Sequence, residues 1–279
     1  MDIVYHNENY QESKLTAVSI NNRSFNYGDG FFETIRIFNG TAIFWQYHYS
    51  RIEKAAKTLG FENLPSSTNL LKIITELSKK NNAPNARIRL NFYRKGQGLY
   101  TPDTNEIGLT GKCIALKSKQ FTLNNKGLEV GIFTTYKLSA GSVSSIKTNN
   151  ALPYILAAKH VKANNLDTAL LINNNNQIVD SIYSNIWIVK NDILHTPPLN
   201  SGGVTGTMQS FLTKMLNTWG YKHITKPLHK NDLQYADELF LTNAIKGIQW
   251  VKNFNQKQFN KKISEQLLNE LNNYLSSIT

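Results

Sequence analysis

Between Phe32–Phe38 and Ala42–Trp45, two runs rich in strand-forming residues, stands the pair Asn39-Gly40. Both residues accept the positive φ at the centre of a two-residue hairpin, and the twist of such a turn matches its flanking strands. A chain that opens this way is committed early to antiparallel sheet, with Ala17–Ile20 a further β-like run ahead of it. The period then changes. His48–Leu59 sets Ile52, Ala55, Ala56 and Leu59 on one helical face and ends at Gly60, a natural stop. Asn69–Lys80 repeats that spacing, Arg87–Tyr93 returns to strand alternation, and Lys95–Thr104 is a Gly-rich loop. Strands and helices interleaved in this manner predict an α+β domain.

A connector falls at residues 116–121, so the reading is a smaller N-terminal domain over 1–115 and a larger C-terminal one over 122–279. The second part predicts a helix at Pro153–Asn164, with proline in its first turn. Strands follow at Thr168–Ile172 and Ile178–Ser181 across the turn Asn173–Asn176. Ile182–Val189 and Ile193–Thr196 form a hairpin through Asn191-Asp192. Helices are predicted at Thr207–Trp219 and Ile263–Ile278, the latter with Ile263, Leu267, Leu271, Tyr274, Leu275 and Ile278 on one face.

Composition enters where it excludes functions. The net charge of +12 raises the question of nucleic acid, but the lysines are scattered among asparagines rather than gathered on a stripe. Solvated surface lysine is the plainer reading, and no nucleic-acid partner is expected. The apolar runs are too short for a bilayer span, so no membrane association is expected either. The start, MDIVYHNENYQESK, lacks the build of a secretion signal, and a single cysteine, Cys113, permits no intramolecular disulfide. Both point to a reducing cytoplasm. Cys113 itself lies in an apolar strand-like run and reads as inert. The arginines stand apart. Arg23, Arg36, Arg51, Arg87, Arg89 and Arg94 all precede residue 95 in a chain that otherwise uses lysine. Their planar fork suits carboxylates and phosphates, although a surface ion pair is an equal reading for each.

No P-loop, dinucleotide fingerprint or Cys/His metal spacing is present. On its own Lys147, in Ser144-Ser145-Ile146-Lys147-Thr148-Asn149-Asn150, is a lysine in a polar loop. Its meaning comes from the order of segments around it. Tyr27-Gly28-Asp29-Gly30-Phe31-Phe32-Glu33-Thr34-Ile35-Arg36 and His48-Tyr49-Ser50-Arg51-Ile52 precede it. Val179-Asp180-Ser181-Ile182-Tyr183-Ser184-Asn185-Ile186-Trp187, Thr196-Pro197-Pro198-Leu199, Gly206-Thr207-Met208-Gln209 and Leu241-Thr242-Asn243-Ala244 follow. This series, over residues 15–251, resembles the fold-type IV pyridoxal-phosphate enzymes. That family includes branched-chain and D-amino-acid aminotransferases and 4-amino-4-deoxychorismate lyase.

The resemblance implies a two-domain α+β fold of the class IV aminotransferase type. The N-terminal lobe is the smaller; the larger C-terminal lobe has a β-barrel-like core and flanking helices. It implies pyridoxal 5′-phosphate as cofactor, a homodimer, and a small amino-acid-like substrate. Lys147 matches the family's Schiff-base lysine, which also shuttles the substrate's α-proton. Arg51 matches the arginine on the cofactor phosphate. Gly206, Thr207 and Met208 match a turn opening a helix whose amides favour that phosphate. Ala244 and Ile245 match a second phosphate-side loop. Asp180 stands where the family carries glutamate against the pyridine nitrogen, one methylene shorter, so contact there requires a shifted backbone or a water. Ala151 replaces a tyrosine of many relatives, and Tyr154, about one helical turn away, has no assignable role. Tyr27, Arg89 and Arg94 lie on substrate-side segments, the two arginines facing opposite ways on a flat strand.

Two details lean toward the lyase. Gly206-Thr207-Met208-Gln209 is similar to its Gly-x-Met pattern, and Thr242–Ile248 looks like the lyase type rather than the Gly-Thr-Ala type. The subgroups overlap in these motifs, and an amino-acid transaminase is the competing expectation.

Overall fold

The computed structural model describes residues 2–278 and divides into two compact units. Residues 2–120 with Ile146–Asn150 form the first, and residues 121–145 with 151–278 the second.

In the first unit β1 (Ile3–His6) and β2 (Asn9–Glu12) form a hairpin, then come α1 (Arg23–Tyr27), β3 (Gly30–Phe38), β4 (Thr41–Ala42), α2 (Trp45–Thr58), α3 (Ser67–Lys80), β5 (Ala86–Arg94) and β6 (Ile107–Ala115). The six strands run β2-β1-β6-β5-β3-β4, every pair antiparallel. One face of this sheet is apolar: Phe31, Ile35, Ile37, Ile88, Leu90 and Phe92 pack with Ile52 of α2 and Leu70, Ile74 and Leu77 of α3. Alternation puts Phe32, Thr34, Arg36, Arg87, Arg89 and Asn91 on the opposite face. Asn39 and Gly40 take φ of 47° and 81°, the left-handed pair that the hairpin needs.

Three expected elements differ here. Ala17–Ile20 is not a strand. The Asn22 amide bonds the Ser19 carbonyl and the Asn22 side chain caps the Phe25 amide at 3.1 Å, so turn and cap chemistry overrides the β-branched pair. The return strand of the hairpin stops at Ala42, because Phe44 turns left-handed (φ 57°) and Trp45 opens α2. The β1–β2 hairpin, with Asn7 and Glu8 both at positive φ, carries no apolar alternation and escaped the sequence reading.

The second unit contains β7 (Leu128–Leu138), α4 (Leu152–Ala163), β8 (Thr168–Asn173), β9 (Ile178–Ser181), β10 (Asn185–Lys190), β11 (Ile193–Thr196), α5 (Thr207–Met215), β12 (His223–Thr225), α6 (Lys230–Gln234), β13 (Glu238–Asn243), β14 (Gly247–Phe254), β15 (Lys257–Gln258) and α7 (Lys262–Ile278). Its main path is β12-β11-β10-β13-β14-β7-β8-β9, with β15 beside β14. The end strand β9 comes back against β10, so the sheet curls into a half-barrel. Leu170, Ile172, Ile186, Ile188, Leu239, Leu241 and Val251 belong to its core. Strand β10 starts at Asn185 rather than Ile182, since residues 182–184 form the bend that reverses β9, and α5 loses regularity after Met215. No helix among the described residues is long and apolar enough to cross a membrane.

Helix α7 shows how the half-barrel fixes its cover. Glu238, buried on β13, accepts the first-turn amides of Ile263 (2.6 Å) and Ser264 (3.0 Å), which orients Leu267, Leu271 and Leu275 inward. Glu238→Ala should lower stability by about 1–2 kcal/mol, and Glu238→Gln by less. Urea midpoints at unchanged slope check this.

Candidate functional site

Lys147 is not a lysine on a free loop. The Phe32 amide donates to the Lys147 carbonyl at 2.9 Å, and the Asn149 amide donates to the Gly30 carbonyl at 3.0 Å. Residues 146–150 thus lie along the start of β3 like a fragment of strand, with Phe31 bridged to Thr148 and Ile146 buried in the apolar core. The Asn149 side chain adds a bond to Ser24 Oγ at 2.7 Å. Gly30 permits this approach, because a Cβ there would stand 2.3 Å from the Phe92 carbonyl oxygen and 2.5 Å from Asn149 Nδ2. Lys147 Nζ lies 4.5 Å from the centroid of the Phe32 ring, and the Arg89 guanidinium carbon lies 3.6 Å from the same ring. Tyr27 ends α1 with its ring 5.2 Å from the Arg23 guanidinium and 5.7 Å from the ring of Tyr100.

Arg51 belongs to a buried polar group beneath the same sheet. Glu33 projects from β3 toward α2, where His48 and Arg51 share a face three residues apart. Arg51 Nε donates to Glu33 Oε2 at 2.9 Å, its Nη2 bonds Oε1, and His48 Nδ1 meets Oε1 at 2.8 Å. Burial, the largest single effect, would raise the Glu33 carboxyl, but the Arg51 charge, His48 and the hydrogen bonds from both together outweigh it and hold the group well below the usual carboxylate range. Burial pushes the His48 imidazole down despite Glu33 beside it, so His48 is a neutral donor at pH 7. The carboxylate therefore fixes the plane of the Arg51 fork.

Arg94 is committed elsewhere. Its nitrogens meet Asp29, Asn105 Oδ1 (2.6 Å) and the carbonyls of Leu59 (2.6 Å) and Gly60 (3.3 Å), over the Phe61 ring. Arg23 also bonds Asp29, and it clasps the carbonyls of Gln97, Gly98 and Leu99. Cys113 is buried, and burial raises its thiol to about 11, which leaves it unreactive.

In the second unit Asp180, buried on β9, accepts the amides of Ser181 (3.0 Å) and Val204 (3.1 Å). Tyr154, in the first turns of α4, points its hydroxyl at Asp180 Oδ2 at 3.4 Å. Burial and then the Asp180 charge push that phenol far above its usual range, so it stays a donor. The sequence offered a signal for Tyr154: it lies three residues beyond Ala151, on the same helical face. Gly206 caps α5, whose first turn holds no acidic residue and receives no side-chain cap. A Cβ at Gly206 would collide with Asn185 Oδ1, and one at Gly203 would stand 2.5 Å from the Val179 carbonyl. Thr207 and Met208 are buried in that turn. At the β13–β14 turn the amide of Ile245 is held by Asn243 Oδ1 at 2.9 Å, next to Ala244.

Comparison with known proteins gives a consistent picture. The family model described as amino-transferase class IV matches residues 30–254. A protein of Methanocaldococcus jannaschii that bears the name of a branched-chain-amino-acid aminotransferase is 28% identical over 261 residues, 93% of this chain and 90% of the relative. The aminodeoxychorismate lyase of Vibrio harveyi is 26% identical over 238 residues, 84% of this chain and 86% of the relative. The branched-chain aminotransferase of Thermoproteus uzoniensis, solved with norvaline, superposes with a TM-score of 0.87 at 22% identity, over 97% of this chain and 93% of the other.

The cofactor of these enzymes is pyridoxal 5′-phosphate, and each unit carries groups that fit it. A side-chain-free helix start at Gly206 with no acid in its first turn suits a phosphate. A buried carboxylate held by two amides and a phenol suits a ring nitrogen. The first unit offers a lysine amine and an oriented guanidinium.

The Glu33 group makes the first unit acid-labile. A carboxyl with a lowered folded pKa stabilises above the ordinary range near 4.5, and that contribution is lost as pH falls through it. A buried neutral His48 acts in the same direction below about 6.5. Glu33→Gln should cost about 3–5 kcal/mol at pH 7, because it strands the Arg51 charge, and the acid limb of stability should flatten. Urea midpoints of both proteins at pH 7, 5 and 3.5 read both effects, and an unchanged midpoint at pH 7 contradicts them.

Proposed function

The chain belongs to the class IV aminotransferase family, a family of pyridoxal-phosphate-dependent enzymes, and from that premise we propose that it is a lyase releasing pyruvate from 4-amino-4-deoxychorismate to give 4-aminobenzoate, a folate precursor. The observation that carries this reading is the opening of α5. Its Gly206-Thr207-Met208-Gln209 has the lyase-like Gly-x-Met form, with Met208 fully buried and Gln209 bonded to Thr196 Oγ1 at 2.8 Å. Transaminases of the family more often carry Gly-Ile-Thr-Arg there. The Vibrio harveyi lyase, matched along most of both chains, adds support.

In this reading Lys147 holds the cofactor through Nζ. Arg51 and the amides of Gly206, Thr207 and Met208 would take its phosphate, aided by the Ala244–Ile245 turn, and Asp180 would serve its ring nitrogen. When bound, pyridoxal phosphate supplies a ring that accepts electrons and so acidifies the hydrogen on the carbon bearing the substrate amine. Lys147 Nζ takes that proton. Asp180, which accepts the amides of Ser181 and Val204 and the hydroxyl of Tyr154, would offer its carboxylate to the ring nitrogen. Tyr27 and Arg89 attend the substrate. Arg94 was expected to do so as well, but with its fork taken by Asp29, Asn105 and two carbonyls it acts by fixing the 95–106 loop. A homodimer in the cytoplasm, with no nucleic-acid or membrane partner, completes the reading.

The competing reading is an amino-acid transaminase, favoured by the archaeal relative. Purified enzyme given aminodeoxychorismate should release pyruvate with no 2-oxo acid added. Absence of pyruvate, with turnover of amino and 2-oxo acids, assigns transamination instead. Lys147→Ala should remove both turnover and the visible absorbance of bound cofactor. Retained turnover would remove Lys147 from its role.

A further inference from the structure

Within the second unit Asp180 accepts from donors that carry no charge. Its Oδ1 takes the Ser181 amide at 3.0 Å and faces Asn185 Nδ2 at 3.5 Å. Its Oδ2 takes the Val204 amide at 3.1 Å and the Tyr154 hydroxyl at 3.4 Å. Two of these donors are main chain, and Asn185 directs its shorter bond, 2.8 Å, to the Val204 carbonyl. Tyr154 differs from them. Its hydroxyl has Asp180 as its one hydrogen-bond partner among the described residues, and burial with the Asp180 charge keeps the phenol proton in place.

The aim of that hydroxyl is built into α4. Ala157 and Val161, the buried residues of the helix, follow Tyr154 at helical spacing and share its face. They pack with Phe133 and Leu171 in one apolar cluster, on which Tyr154 also rests. Leu171 is the β8 residue directly across from Asp180. Helix seat and carboxylate are therefore referred to the same pair of strands, which leaves the phenol little freedom to turn elsewhere.

A buried carboxylate that meets a protonated ring nitrogen has two arrangements open to it. The proton stays on nitrogen and two opposite charges face each other, or the N–H bond breaks, an O–H bond forms on the carboxylate and both partners are neutral. Burial favours the neutral pair, because it penalises charge. A hydrogen bond to the ionised carboxylate favours the charged pair, and a neutral donor does so without cancelling the charge. We propose that Tyr154 is a positioning residue that, through Asp180, keeps the proton on the ring nitrogen of bound pyridoxal phosphate. This role rests on Asp180 being the ring's partner. It adds a residue of α4 on which the ring's capacity to accept electrons depends.

The test uses holoenzyme loaded with pyridoxal phosphate that carries nitrogen-15 in its ring, whose resonance separates a protonated from a neutral nitrogen. At one near-neutral pH, wild-type enzyme should give the protonated position and Asp180→Asn the neutral one. Tyr154→Phe should move the resonance toward the neutral position by at least about one-tenth of that interval, since one hydrogen bond to a charged group contributes about 10-fold. Tyr154→Met, which also lacks the hydroxyl but packs differently, should give the same resonance as Tyr154→Phe.

A Tyr154→Phe resonance at the wild-type position, with Asp180→Asn shifted, overturns the role of Tyr154 alone. Unequal resonances in the Phe and Met variants trace the effect to packing and overturn it as well. An Asp180→Asn resonance at the wild-type position removes Asp180 from the ring nitrogen, and the role of Tyr154 falls with it.

Discussion

The amide of Phe32 and the carbonyl of Lys147 are hydrogen-bonded, and most of what surrounds the candidate lysine depends on that contact and its neighbour from Asn149 to Gly30. Two backbone bonds of about 1 kcal/mol each, with Ile146 buried beside them, convert a polar loop into an added fragment of sheet. The register then leaves Lys147 Nζ over the Phe32 ring. It also dictates residue choice several positions away. Position 30 must lack a side chain for the fragment to approach, and Ser24 on α1 supplies the oxygen that holds Asn149. The lysine is thus positioned by main chain, which does not change rotamer, rather than by side-chain packing.

The arginines of the first unit divide by what their burial demands. Arg51 is fixed by Glu33, while Arg23 and Arg94 converge on Asp29 and then reach carbonyls at 97–99 and at 59–60. Buried pairs of this kind contribute little net stability, since desolvation offsets attraction. Their effect is positional: they hold a Gly-rich loop from beneath where an apolar contact could slide. Arg89 departs from that pattern and rests on the Phe32 ring.

The sequence made the skeleton of this fold legible where one local force dominates. Asn39-Gly40 and Asn191-Asp192 dictate their turns through positive φ, and α3 and α7 follow their apolar spacing closely. It misled where local forces conflict. Val18 and Ile20 favour extended chain, yet Ser19 and Asn22 offer turn bonds that the exposed segment takes. For the site, Lys147 was legible only through the order of distant segments, because its own neighbourhood is that of a surface loop. Arg94 was not legible, and Tyr154 was visible only as a tyrosine about one turn beyond Ala151, without a role. What an arginine at the end of β5 bonds depends on where residues 29, 59 and 105 arrive, and no pattern within β5 encodes that.

Asp180 shows how a shorter carboxylate is accommodated. In the proposed role it must meet a ring nitrogen that a glutamate reaches with one more methylene. The second unit brings main chain to the aspartate. Gly203 has no Cβ, which would stand 3.3 Å from that of Asp180, so the 203–204 turn closes on β9 and presents the Val204 amide. Tyr154 adds a donor whose proton is held firmly by burial and by the carboxylate itself. Neutral donors stabilise an anion without neutralising it, which leaves its charge available to a cationic partner. A lysine or arginine in place of Tyr154 would form a salt bridge and cancel that charge. The combination of a glycine behind the strand and a phenol beside it therefore surrounds the aspartate with neutral hydrogen-bond donors, the surroundings that a carboxylate facing a protonated pyridine in the proposed role would need.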